Sequence, residues 1–236
     1  MPSEKVLEII NSVKSEGRKV LTFYEAMRLA AEYGLPVPRV FLAKNPDEAV
    51  EYAKQAGFPV VLKIVSPDIT HKSDIGGVVV GLNSEEEVRK SFTEIMERVK
   101  VKAPSARVHG ICVHHMAPYG REVIIGGIVD ETFGPVIMFG LGGIFVEILR
   151  DVTFRLAPLT REEAWEMIES IKGAPILKGY RGEPPADLDA LVDTMVKASQ
   201  MLSDLADYVH QLDLNPVFVY EKGRGVKIVD VRVVLK

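Results

Sequence analysis

The chain has 236 residues, 47% hydrophobic and 26% charged, enough for one large domain or two small lobes, which excludes a disordered chain. Its formal net charge of −4, with Lys and Arg interspersed among Asp and Glu, gives no global attraction to nucleic acid or an anionic membrane, so phosphate recognition must be local. One cysteine, Cys112, cannot form an internal disulfide, the opening MPSEKVLEII lacks a secretory signal, and no apolar run is long enough to cross a bilayer, so a cytoplasmic protein is expected.

Val6, Ile9, Ile10 and Val13 recur at helical spacing within Glu4–Lys14. Thr22 with Glu25 three residues on is a capping box opening a helix over Thr22–Tyr33, closed by Gly34. Pro36 and Pro38 then lead into a strand over Arg39–Ala43. Pro46–Ala56 reads as a helix stopped by Gly57, and Phe58–Val65 as a buried strand with a single charge, Lys63. Residues 66–77 carry no periodicity; a strand resumes at Val78–Leu82, followed by a helix at Ser84–Val99 and a strand at Ala106–Met116. After a turn at Pro118-Tyr119-Gly120 the chain is strand-rich through Arg155. Thr160 and Glu163 form a second capping box ahead of a helix over Glu162–Ile171, Lys172–Pro185 is a Gly- and Pro-rich loop, and Leu188–Asp207 is the longest helix. Strands follow at His210–Tyr220 and Val226–Leu235. The pattern predicts an α/β chain of two lobes, residues 1–116 and 117–236, hinged near 116–119 about a cleft.

Lys63, alone in an apolar strand, is costly to bury unless an anion compensates it; the alternative is a lysine reaching solvent at the strand's end. The loop that follows, Ser66-Pro-Asp-Ile-Thr-His-Lys-Ser-Asp-Ile-Gly-Gly77, offers hydroxyls, Lys72, Ser73 and backbone N–H groups to phosphate oxygens, without the Walker A pattern. In it His71 is either a phosphoryl-accepting nucleophile, with Asp68 or Asp74 near enough to hold its other nitrogen, or a surface histidine without a role. Asp213 and Asn215 alternate onto one face of a strand and Asp230 lies on the partner strand, which suits a hard cation such as Mg²⁺ holding nucleotide phosphates; the plain alternative is solvated polar residues. The glycines of Gly140-Leu-Gly-Gly143 let backbone pass close to a ligand or simply make turns. Glu147, Arg150, Asp151 and Arg155 are either an ion-pair group or, for Arg150 and Arg155, phosphate-stabilising charges. His109, Cys112, His114 and His115 crowd one strand, but neighbours there point to opposite faces, which argues against a transition-metal site.

Together, the residues from Val61 to Val78, Gly120-Arg-Glu122, Phe133-Gly-Pro-Val136, Gly140-Leu-Gly-Gly143, Glu147, Asp213-Leu-Asn-Pro216 and Asp230 resemble the ATP-grasp β subunit of the ADP-forming acyl-CoA synthetases, over nearly the whole chain. The resemblance implies an ATP-grasp fold with nucleotide in the cleft between two lobes, and a loop histidine, His71, that carries a phosphoryl group to ADP. It further implies that Lys63 and Glu122 bind nucleotide, that Asn215 and Asp230 hold Mg²⁺, and that Asp213 orients phosphorylated His71. Lys72, Ser73 and Arg150 are candidate phosphate contacts, and Val113 and Met116 candidate adenine contacts. In that family a CoA-binding α subunit, expected here in an α2β2 assembly, makes an acyl phosphate from acyl-CoA and phosphate and holds a first phosphohistidine. This chain has no Gly-x-Gly-x-x-Gly dinucleotide fingerprint of its own near the N-terminus, so that partner must be a separate piece. Two other readings remain at this level, a direct ATP-grasp carboxylate ligase without phosphohistidine and a non-catalytic nucleotide-sensing module.

Overall fold

The computed structural model describes residues 2–69, 71–143 and 151–236. They fall into two compact units. One comprises Thr22–Glu25 and Pro38–Pro118; the other comprises the chain up to Leu21, Ala26–Val37 and Tyr119–Lys236. The expected division at 116/117 thus differs from this one chiefly at the N-terminus, whose first helix belongs with the C-terminal half.

The smaller unit is a four-stranded antiparallel sheet with helices on one face. Its strands are β1 (Val40–Ala43), β2 (Val60–Val65), β3 (Val78–Leu82) and β4 (Gly110–His115), in the order β1-β4-β2-β3. Helix α3 (Pro46–Ala56) is capped by Asn45, whose side chain accepts from the Glu48 N–H, and α4 (Glu85–Lys102) is capped in the same way by Ser84. Val88, Phe92, Ile95 and Val99 recur along α4 and pack with Val60, Leu62, Ile64, Ile111 and Val113 from the sheet. Leu62 and Ile64 face the helices, so strand alternation turns Lys63 to the opposite face.

The larger unit is a six-stranded antiparallel sheet. It holds β5 (Arg121–Asp130), β6 (Gly134–Leu141), β7 (Val152–Leu156), β8 (Val209–Val219), β9 (Val226–Ile228) and β10 (Val231–Leu235), in the order β10-β8-β5-β6-β7 with β9 beside β8. The single strand expected over Val226–Leu235 is two, because β9 pairs with Val217–Val219 and β10 with Val209–Leu214 of the long β8. Helix α1 (Glu4–Ser15) buries Val6, Ile9, Ile10 and Val13, and the segment after it runs along β10: the Leu21 N–H donates to the Val233 carbonyl at 3.1 Å. Helix α2 (Phe23–Glu32) starts at the expected capping box, with the Thr22 N–H donating to Glu25 Oε2 at 2.7 Å. A second box, Thr160 with Glu163, starts α5 (Arg161–Ser170). The expected loop Lys172–Pro185 contains a short helix, α6 (Ala174–Lys178), and α7 (Leu188–Asp204) lies on the sheet so closely that a Cβ on Gly127 would sit 2.6 Å from Leu202. Among the described residues no helix is long and apolar enough to cross a membrane.

Candidate functional site

The four-stranded sheet decides between the two readings of Lys63. Its side chain does not reach solvent: the residue is 8% exposed, and Nζ stands 4.0 Å over the Phe23 ring. The first turn of α2 places that ring, and such a contact offsets about 1–2 kcal/mol of the cost of burying the ammonium. His114 shares the face, since Val61 and Lys63 pair with His114 and Cys112 in the β2–β4 ladder. Its ring lies 5.6 Å from Phe23, Nδ1 donates to the His115 carbonyl at 2.9 Å, and burial, with the Lys63 charge second, drops its pKa to about 4. Val113 lies between β1 and β2 with its side chain fully buried against the helices, so only its backbone stands as the candidate adenine contact. Met116 stays half-exposed at the end of β4, its N–H donating to the Pro59 carbonyl at 2.8 Å.

The loop between β2 and β3 keeps His71 exposed while both its feet are tied down. At the first foot, Asp68 accepts from the Arg107 N–H at 2.7 Å, from Nε at 3.0 Å and from Nη2 at 2.8 Å. These bonds hold its carboxyl down to about 2. Both oxygens of Asp68, one of the two carboxylates considered for His71, are therefore engaged by Arg107. At the second foot the Gly77 N–H donates to the Lys72 carbonyl at 2.7 Å, Arg98 to the Gly76 carbonyl at 3.2 Å and Lys102 to the Asp74 carbonyl at 3.2 Å. A Cβ on Gly77 would lie 2.5 Å from Ile64, so only glycine lets this turn dock on β2. Lys72 is half-buried and Ser73 exposed beside His71 in sequence. Arg107 carries no local sequence signal that would have marked it.

In the six-stranded sheet one face carries the remaining candidates. Gly127 points at α7, so Glu122, Ile124 and Gly126 point the other way, and Gly126 pairs with Asp213 on β8. Ile124, Val136, Met138, Phe154 and Asp213 line a cavity of about 260 Å³ on this face. Burial pushes the Asp213 carboxyl up, opposed by Arg232 and reinforced by Asp230. Asn215 follows two positions on, and its N–H donates to the Asp230 carbonyl at 3.2 Å, so the two expected metal ligands are neighbours on paired backbone. Among the described residues no three His, Cys, Asp or Glu side chains cluster around a possible ion. Asn215 is exposed and Asp230 half-buried, and an amide oxygen with one carboxylate is a donor set that fits a magnesium ion that keeps waters and shares nucleotide phosphates. Arg150 and Glu147 lie outside the described residues. Of the other two members of that group, Asp151 accepts from the Lys172 and Gly173 N–H groups at 2.8 and 2.7 Å, and Arg155 pairs with Glu166 at 3.9 Å.

The family model of the ATP-grasp domain matches residues 12–235. The chain is 50% identical over 232 residues to the subunit beta of acetate–CoA ligase [ADP-forming] II of Pyrococcus furiosus, covering 98% of each. A solved structure from Pyrococcus horikoshii Ot3 superposes with a TM-score of 0.94 at 52% identity, covering 100% of this chain and 99% of that one. Another is the dinucleotide-forming acetyl-coenzyme A synthetase 1 of Ca. Korarchaeum cryptofilum in complex with coenzyme A and Mg-AMPPCP, its phosphohistidine segment pointing towards the nucleotide binding site. It superposes with a TM-score of 0.86 at 43% identity, covering 98% of this chain and 100% of that one. On the domain match, the near-complete coverage and the identity, this chain belongs to the ATP-grasp family of ADP-forming acetate–CoA ligase β subunits.

Proposed function

We propose that the chain is the cytoplasmic, nucleotide-binding β subunit of an ADP-forming acyl-CoA synthetase, acting with a CoA-binding α subunit in an α2β2 complex. The observation that carries this reading is an exposed His71 on a loop anchored at both feet to the sheet that buries Lys63. A nucleophile on an exposed, tethered loop suits a relay, in which a group is taken from one reactant and handed to another.

In the direction of ATP synthesis the partner converts acyl-CoA and phosphate to acyl phosphate, and that phosphoryl group passes to a histidine of the partner. A lone-pair nitrogen of the His71 ring then attacks phosphorus, and the nitrogen–phosphorus bond on the partner breaks. Next a β-phosphate oxygen of ADP attacks the phosphorus on His71, the nitrogen–phosphorus bond breaks, and ATP leaves with the imidazole restored. Lys63 and Glu122 are the nucleotide residues, with Met116 at the adenine and Arg150 at the phosphates. Lys72 and Ser73 accompany the moving phosphoryl group, and Asp213 is the carboxylate assigned to the transfer step. Mg²⁺, held by Asn215 and Asp230, would neutralise charge on the nucleotide phosphates.

With the α-type partner, acetyl-CoA, phosphate, Mg²⁺ and ADP, the wild-type chain should form ATP. His71→Asn should abolish it, and Lys63→Ala should raise the KM for ADP about ten-fold or more, the loss of one charge-assisted contact. Wild-type rates from His71→Asn would contradict the relay.

A further inference from the structure

Glu122 is held on two sides by groups to which the reading above gives no task. The Tyr119 hydroxyl donates to Glu122 Oε1 at 2.6 Å, and that bond, more than burial, pushes the phenol up from its ordinary value. The ring is 82% exposed, so the core does not need it. It is nevertheless steadied, lying 5.0 Å from Phe218, the cross-strand neighbour of Glu122. On the other side the chain after β6 folds back over the same residue. The Gly142 N–H donates to the Glu122 carbonyl at 2.8 Å, a Cβ on Gly142 would sit 2.9 Å from Glu122 Cβ, and one on Gly143, where φ is +62°, would sit 3.1 Å from Oε2. Gly120 obeys the same constraint, since its Cβ would lie 3.0 Å from the Tyr220 ring and 3.1 Å from Phe218 Cβ.

We infer that Tyr119 is a positioning residue of the nucleotide site and that Gly142 and Gly143 serve Glu122 rather than phosphate. The phenol fixes Oε1, the glycine turn shuts the space beside Oε2, and the carboxylate is presented in one rotamer, as an acceptor. A carboxylate on an open sheet face otherwise samples several rotamers, and ordering it costs part of each binding event. This inference rests on the assignment of Glu122 to nucleotide.

The test uses the complete β chain with its α-type partner, ADP as the varied substrate, and three variants: Tyr119→Phe, Glu122→Gln and the double substitution. Tyr119→Phe keeps the ring on Phe218 and removes only the hydroxyl. It should raise the KM for ADP about five-fold, the value of one hydrogen bond, with kcat and Tm unchanged. Glu122→Gln should raise it further, and adding Tyr119→Phe to that variant should change nothing more. If Glu122→Gln raises the KM while Tyr119→Phe leaves it at wild type, or moves only Tm, the positioning role is wrong and the nucleotide assignment stands. A wild-type KM from Glu122→Gln overturns the assignment itself, and the inference with it.

Discussion

His114 is 2% exposed and neutral, and this sets how the protein answers acid. Its pKa is 6.5 in the unfolded chain and about 4 in the folded one, so the two states bind protons equally only well above pH 6.5. As pH falls through 6.5 the unfolded state takes the proton first, and the folded state loses roughly 3 kcal/mol of stability by pH 4. Urea unfolding of the wild type should show that decline, and His114→Phe should flatten it; identical pH profiles would contradict the buried neutral imidazole. Of this site the sequence discloses Lys63, because a lone charge in an apolar strand is conspicuous. Phe23 and His114 were not legible as its neighbours, since one comes from the first turn of a preceding helix and the other from a strand about fifty residues later. The Asp68–Arg107 pair is illegible for the same reason: its members lie 39 residues apart.

At the scale of elements, local chemistry was readable wherever it is written in neighbouring residues. Both capping boxes, at Thr22 and Thr160, start helices where their Ser/Thr-x-x-Glu spacing says they should. The helix α6 was not, because five residues between glycines make no period. The split of the last strand depends on which part of β8 each half meets, and that is a long-range fact. The loop that carries His71 shows how one residue can govern an element. Gly77→Ala forces a methyl against Ile64 and the Lys72 carbonyl, at about 1–3 kcal/mol, and should break the bond that closes the second foot. Hydrogen exchange should then report Gly77 exchanging about ten-fold faster or more, with the amides of α4 unchanged. Wild-type protection at Gly77 would mean that the loop is held by something other than this turn.

Over the whole molecule, the sequence displays the ATP-grasp motifs in order but not how the chain shares itself between its two units. Residues up to Leu21 join the larger unit because Lys19, Val20 and Leu21 run beside β10, a pairing more than two hundred residues apart that no local pattern records. Each unit then presents its own part of the candidate chemistry. The smaller one offers Lys63 and the His71 loop, and the larger one Glu122, Asp213, Asn215 and Asp230. The central claim is that phosphoryl groups pass through His71. It is tested most directly by mass spectrometry of the complex of this chain with its α-type partner, after brief exposure to acetyl-CoA and phosphate. The complex is handled at neutral to alkaline pH so that phosphohistidine survives. The account predicts a phosphate on His71 that added ADP removes as ATP. ATP formed while His71 never carries phosphate would contradict it.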